Sequence, residues 1–510
     1  MSRVFKEYLN FLILGLLVLW GGFLRYNGLN KNISFWSDEA TTSIYSRAIF
    51  LRGSPTLLSG NLEDRGVWYY YLTAISFRLL GLSEFAARMP SVLFGVGCII
   101  LTFILSKQLF DEKIAIGATS LLTFSVFEIV WSRQARWYSA TQFFYLSFLV
   151  ILWNYIHSFT RQKKQVAPII VLFLTLLVFL KISPIAIPLF LSSFLAVNLS
   201  FLKDLLRLDF KMKIRYLILT LMIIILLFWV LFTSKTNQVT YYGLQFLRLF
   251  NHSRYYFYFL WHEYSIVSLL SLMGLFSLRW KKTFWLLAIS LFGYLFYLSF
   301  LTAYQYTRYL FPIFPLFLIL TAEGLRQISS LIFKNKPLIL YFGLLVIILL
   351  SGFKFRIWAQ PYYSLNSDFR ETPEADYKKG YQKVKTIENL CPDLVIVDSH
   401  PELGVWYLGE QEKIYSLKDK SVVDWYARQG WKIDPYSGGN FVSNTLELKT
   451  LMSEKKCGAI VLEYTEAGFL SRDLVSFIEK NTKEEILISS LSFPSRFAGW
   501  PLKVYSWGIK

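Results

Sequence analysis

The chain has 510 residues, 55% of them hydrophobic and 17% charged, with a mean hydropathy of +0.42, which excludes an ordinary soluble globular protein. Its net charge of +19 comes from Lys and Arg grouped in short runs between apolar segments. Membrane topology accounts for such runs, so no nucleic-acid partner is expected.

Arg3 and Lys6 precede an apolar run at 9–24 that lacks a small-x-small cleavage site, so an uncleaved first helix is predicted. Further runs at 89–106, 114–131, 139–157, 166–181, 184–202, 216–233, 264–278, 284–301, 308–325 and 337–353 are long enough to cross a bilayer. The prediction is a polytopic α-helical membrane protein with about 11 transmembrane helices plus interfacial helices. The first long loop, 25–88, carries Phe35-Trp36-Ser37-Asp38-Glu39-Ala40. Two adjacent carboxylates beside a bilayer, among aromatic residues, are either a solvated loop end or a site.

Within that loop, Val67 to Leu80 is a twelfth candidate span, and basic residues decide its fate. If it does not cross, one face receives Arg3/Lys6, Lys107/Lys113, Arg161/Lys163/Lys164, Lys203 through Arg215, Arg279/Lys281/Lys282 and Arg326/Lys334/Lys336. The segment is therefore predicted to lie in the outer interface, as Trp68, Tyr69, Tyr70, Tyr71 and Arg78 suit. The outer face then holds loop 25–88, the turn at 132–138, loop 234–263, the turn at 302–307 and everything after 354.

The composition turns polar after Gly352, dividing the chain into a transmembrane domain, 1–353, and an extracytoplasmic soluble α/β domain, 354–510. Thr372-Pro373-Glu374 predicts a helix start and a helix to about Asn389. Strands are predicted at Leu394 to Asp398, Lys413 to Leu417 and Ala459 to Glu463, and a helix from Ser471 to Lys480. Asp398-Ser399-His400 at a strand end is first a cap and only second a site. Carrying no acid pair like that near Asp38, the domain is expected to recognise or position an acceptor. Cys98, Cys391 and Cys457 show no metal spacing and leave one bridge, Cys391 to Cys457, open.

Several motifs match one family in order and spacing. Asp38-Glu39, the segment Asp64-Arg65-Gly66-Val67-Trp68-Tyr69-Tyr70-Tyr71-Leu72, Ser83-Glu84-Phe85-Ala86-Ala87-Arg88-Met89-Pro90-Ser91, Ser132-Arg133-Gln134-Ala135-Arg136-Trp137-Tyr138 and Thr307-Arg308-Tyr309-Leu310-Phe311-Pro312 resemble bacterial GT-C membrane glycosyltransferases. The nearest groups are the protein O-mannosyltransferase-like and aminoarabinose-transferase-like enzymes, over roughly residues 1 to 350. The resemblance implies transfer of a sugar from a polyprenyl-phosphate carrier to an acceptor at the outer side of the plasma (inner) membrane, with an acidic pair in the first outer loop. The sequence departs from the family twice. Asp64-Arg65-Gly66 stands where the family often has His-Pro-Pro or Lys-Pro-Pro, which moves the implied phosphate contacts to Arg65 and leaves Asp64 beside it as a candidate substrate-binding residue. Tyr138 stands where some members carry a carboxylate, which removes one ligand for a divalent metal; Glu63, Asp64, His252, His262 and Glu263 are the candidate replacements.

Displacement at a sugar needs a base, a cationic site for the departing phosphate and a place for the lipid. Asp38 is the expected base, and Glu39 the group that orients the acceptor or acts on Asp38 by like-charge repulsion. Arg133, Arg136, Arg308 and Arg65 are the expected phosphate contacts, with Tyr138 and His262 at the substrate. One carboxylate base with direct attack implies inversion at the anomeric carbon. The competing classes are a flippase or transporter of lipid-linked sugars, and a lipid-linked polysaccharide polymerase or ligase. A flippase should place ionisable groups near the bilayer midplane, whereas the apolar runs here are nearly free of them.

Overall fold

The computed structural model describes residues 3–31, 34–63, 66–159, 167–182, 185–233, 250–279, 281–302, 305–333, 337–351, 375–409, 413–463, 470–488 and 502–509. The first part of the chain is helical: α1 (Arg3–Tyr26), α2 (Ser37–Arg52), α3 (Val67–Leu80), α4 (Glu84–Leu109), α5 (Glu112–Phe124), α6 (Val126–Trp131), α7 (Tyr138–Phe159), α8 (Ala167–Ile182), α9 (Ala186–Ser200), α10 (Leu202–Leu206) and α11 (Phe210–Thr233). It continues with α12 (Ser253–Glu263), α13 (Ser265–Ser277), α14 (Lys282–Phe296), α15 (Phe314–Ile332) and α16 (Pro337–Ser351), with a 3-10 turn over Thr307–Ile313 leading into α15.

Among the described residues, five helices are long and apolar enough to cross a membrane, and six if the α12–α13 pair, bent by 102°, forms one span. About eleven crossings were expected. Part of the difference is a break that an apolar run conceals: the run at 114–131 is interrupted at Ser125, which ends α5 and caps α6 by accepting from the Glu128 amide. Part is length: the runs at 166–181, 184–202 and 337–353 contain the shorter apolar helices Ile170–Leu180, Ala186–Ser200 and Pro337–Leu350. Val67 to Leu80 forms one helix of 14 residues, about 21 Å long, shorter than a hydrocarbon core of about 30 Å.

Close packing fixes the helices near the 3-10 turn. A Cβ on Gly274 of α13 would run into the Leu320 carbonyl of α15, and one on Gly324 into the Leu270 carbonyl, so small residues let these two backbones approach. Ionisable groups are also buried here, contrary to the expectation of bare apolar runs. Arg25 and Glu128 are fully enclosed. Gln142 donates from Nε2 to Glu128 at 2.9 Å and to the Phe311 carbonyl at 2.6 Å, which ties the 3-10 turn to α6 and α7.

Helix α2 occupies what the sequence presents as loop. Thr42, Ser43, Ser46 and Arg47 are buried in it, and the three hydroxyls are satisfied by donating to carbonyls one turn back. A polar helix can be buried on these terms because no side-chain donor is left unpaired.

The C-terminal region is a mixed α/β layer: α17 (Tyr377–Glu388), β1 (Val395–Asp398), α18 (Pro401–Leu408), β2 (Ile414–Leu417), α19 (Lys420–Arg428), β3 (Phe441–Val442), α20 (Thr445–Glu454), β4 (Gly458–Glu463), α21 (Arg472–Asn481), β5 (Lys483–Ile488) and β6 (Leu502–Trp507). The sheet order is β3-β2-β1-β4-β6-β5. Strands β1 to β4 pair in parallel, and β6 pairs antiparallel with both β4 and β5. The predicted strands and the Ser471 helix are present. The predicted start at Thr372 lies outside the described residues, and α17 is capped by Asp376. Cys391 and Cys457 form a disulfide just ahead of β1 and β4.

This region shares a core with α2 and α3. Phe35, Ile44 and Tyr70 pack in one apolar cluster with Tyr377, Leu403 and Val405. Arg47 of α2 donates to the Val405 carbonyl at 2.8 Å and the Trp406 carbonyl at 3.2 Å, capping the end of α18.

Candidate functional site

Asp38 lies in the first turn of α2, where unpaired backbone N–H groups favour negative charge. Two guanidinium groups converge on its Oδ2, that of Arg308 at 3.3 Å and that of Arg136 at 3.5 Å. The Asp38 side chain is 29% exposed, against 8% for Arg136 and 10% for Arg308, so the acid is the most accessible of the three.

Each cation is built into its own turn. Arg136 donates from Nη1 to the Asp38 carbonyl at 3.0 Å and the Thr42 hydroxyl at 3.1 Å, while its own carbonyl accepts from Ser91 at 2.8 Å. Its guanidinium lies 4.1 Å from the Trp137 ring centre. Arg308 lies over Tyr306 at 4.1 Å and over Trp36 at 5.6 Å. Aromatic faces hold the charges in place without supplying a carboxylate to quench them.

Glu39 departs from its expected role. Arg88 forks onto it, Nε to Oε1 at 2.7 Å and Nη2 to Oε2 at 2.6 Å, and the Ala135 amide donates to Oε1 at 2.8 Å. Both of its oxygens are taken and 2% of the side chain is exposed, against 29% for Asp38. The reason is helical geometry: consecutive residues diverge by about 100°, so neighbours in sequence do not form a pair in space. Glu39 instead locks the turn at 132–138 to α2 and α4. Arg133 also departs, donating to the Leu24 carbonyl at 2.5 Å and the Asn27 carbonyl at 2.6 Å, where it caps the end of α1.

Tyr138 is buried among Trp131, Trp137 and Tyr309, its ring 5.9 Å from the Arg136 guanidinium. Asp64 and Arg65 lie outside the described residues, as do the side chains of His262 and Glu263. His252 contacts the Thr302 carbonyl through Nε2 at 3.0 Å. Among the described residues no group of three or more His, Cys, Asp or Glu side chains could hold a metal ion.

Sequence reasoning missed Arg88, although the residue sits in a quoted motif and a lone Arg entering an apolar run is a signal. It also missed the contacts that the C-terminal region makes to the segment before Asp38. The Ser37 hydroxyl donates to Glu402 Oε1, the Phe35 amide to the Tyr407 hydroxyl at 2.8 Å, and the Lys378 amide to Ser34 at 3.1 Å.

No family model matches the chain, and no curated protein matches it by sequence. Solved structures do. ArnT from Cupriavidus metallidurans in its apo state superposes with a TM-score of 0.60 at 10% identity, covering 99% of this chain and 98% of that one. The same protein bound to undecaprenyl phosphate gives 0.56. The fold is that of the GT-C membrane glycosyltransferases. An oligosaccharyltransferase from Archaeoglobus fulgidus in the apo form is similar as well, with a TM-score of 0.55, 12% identity and coverage of 95% of this chain and 74% of that one. The GT-C fold thus extends through the C-terminal region, beyond the roughly 350 residues whose motifs carry the resemblance.

Proposed function

We propose that this GT-C protein is an inverting glycosyltransferase that moves a sugar from a polyprenyl-phosphate donor to an acceptor at the outer face of the plasma (inner) membrane. The observation that carries the reading is the half-exposed Asp38 carboxylate backed by Arg136 and Arg308. In the reaction, Asp38 accepts the proton of the acceptor's hydroxyl or amine as its oxygen or nitrogen attacks the anomeric carbon. The bond from that carbon to the phosphate oxygen breaks, and the phosphate departs with the electron pair. Arg136 and Arg308 bear its charge as guanidinium groups suited to phosphate oxygens. A single attack from the side opposite the phosphate inverts the centre.

The arrangement supports division into a transmembrane domain, 1–353, and an α/β domain, 354–510, with the latter outside the cytoplasm. The Cys391–Cys457 disulfide favours that side, since disulfides are rare in reducing cytosol. Mass spectrometry of lipid-linked sugars and glycan products, in cells with and without the protein, tests the activity. Loss of one glycan product with accumulation of its lipid-linked donor is expected. Unchanged products with altered sidedness of the lipid-linked sugar would instead identify a flippase.

A further inference from the structure

The C-terminal sheet has a topological switch at β1. Strand β1 pairs with β2 on one side and β4 on the other, all parallel, and open α/β sheets hold their ligands outside the carboxyl ends of strands at such a point. Here the carboxyl ends of β1 and β4 carry Asp398, Ser399, His400 and Glu463, all buried, and the segment Ser34 to Ser37 of the membrane region is held by Lys378, Glu402 and Tyr407 of the adjoining helices α17 and α18.

The contacts form one chain. His400 Nε2 lies 2.8 Å from Glu463 Oε2, and Nδ1 lies 3.2 Å from Glu402 Oε1. Glu402 Oε1 also accepts from Ser37, the residue before Asp38. Both ring nitrogens of His400 face carboxylate oxygens, and both can donate only in the imidazolium form. Around this ring stand Tyr377 of α17, donating to Glu463 Oε1, and Tyr381 of the same helix, donating to Asp398 at 2.9 Å. Asp398 accepts from the His400 amide at 2.9 Å, and Lys418 after β2 donates to the Ser399 carbonyl at 2.6 Å. Asp434 and Lys418 add their charges at Glu402.

We infer that His400, Glu402 and Glu463 are positioning residues for Asp38, holding the first turn of α2 through Ser37, so that the switch-point crevice grips the chain's own catalytic segment. The inference rests on Asp38 as the base. Burial opposes charge on His400, but Glu463 and Glu402 outweigh it and hold the imidazolium well above the ordinary histidine range. Glu402 stays ionised despite burial, held down to about 2 by His400, Lys418 and Ser37.

His400 has the higher value when folded, so its contribution is complete below about 6.5 and lost as pH rises through the folded value.

The test uses the full-length protein in detergent, with the lipid-linked sugars extracted from the producing membranes as donor and undecaprenyl phosphate as binding probe. Glu402→Gln and His400→Gln should lower kcat roughly 10-fold while changing KM and probe affinity less than about 2-fold. Both should speed hydrogen exchange of the amides at 36–42, and His400→Gln should abolish an alkaline limb of the kcat profile. Ser37→Ala should act in the same direction while leaving His400, Glu402 and Glu463 in place, which guards against a His400 variant that fails to fold. Unchanged exchange at 36–42 in Glu402→Gln and Ser37→Ala would overturn the inference. If exchange rises in these variants but Asp38→Asn remains fully active, the coupling stands and Asp38 as base is what fails.

Discussion

Glu39→Gln separates an architectural carboxylate from a chemical one. The wild-type pair is enclosed, with 5% of the Arg88 side chain and 2% of the Glu39 side chain exposed. The glutamine oxygen can still accept from Arg88 Nε and the Ala135 amide, but its NH2 faces Arg88 Nη2 in place of an acceptor. The lost charge-assisted bond is worth about 1.5–3 kcal/mol, and a buried guanidinium without its counter-charge brings the total to about 3–5 kcal/mol. Thermal unfolding of the purified protein in detergent should show this loss, and turnover per folded molecule should fall less than in Asp38→Asn. The double change Glu39→Leu with Arg88→Met should recover part of the stability, since no unpaired charge remains. The recovery is partial because Arg88 also donates to the Ser34 carbonyl at 3.1 Å. A Glu39→Gln protein as stable as wild type, but as inactive as Asp38→Asn, would refute this reasoning and return Glu39 to the chemistry.

Asp38→Asn keeps the shape but cannot take the proton, so turnover should fall by about 10² to 10⁴ fold with undecaprenyl phosphate affinity little changed; near-full activity in a purified assay would remove Asp38 as the base. Arg308→Ala should weaken binding of undecaprenyl phosphate roughly 10-fold or more, because its proposed partner is present before and during reaction; unchanged affinity would place the phosphate elsewhere. A cysteine replacing Thr386, exposed on α17, should react with an impermeant thiol reagent in intact cells, and labelling only after lysis would reverse the topology. Burial pushes Asp398 up to about 7, so the folded form holds a proton that the unfolded form has released. Stability from this group is therefore greatest below about pH 4 and declines up to about pH 7, by at most about 4 kcal/mol. Asp398→Asn should flatten that slope in pH-dependent unfolding, and an unaltered slope would assign it to other groups.

The apolar runs and the parallel strands were legible because each is written locally, as a long hydrophobic stretch or a short apolar block between polar ones. Helix α2 was not, since Ser37-Asp38-Glu39-Ala40-Thr41-Thr42-Ser43 has no apolar stripe and its burial depends on partners hundreds of residues away. The same distance hid the Glu39–Arg88 fork and the Ser37–Glu402 contact, which join positions 49 and 365 residues apart. Strand β5 was hidden by Lys483-Glu484-Glu485, charges that suggest a surface segment until Ser506 and Lys383 are seen to engage Glu485. Asp38 could be nominated as one of two adjacent acids in the first long loop, and Arg136 and Arg308 as charges at the ends of apolar runs, but only the fold shows that they meet.

The pairing of β6 with β4 sets an order of events during synthesis. The helices that hold Ser34 to Ser37 belong to a layer whose sheet includes β6, residues 502–507, so that layer is completed only when the far end of the chain has emerged. At about 5–20 residues per second, the gap between the first turn of α2 and that strand lasts roughly half a minute to a minute and a half. Arg136, Arg308 and Glu402 reach the first turn of α2 in that order as the chain lengthens, so Asp38 meets its two guanidinium groups before the C-terminal region takes hold of Ser37.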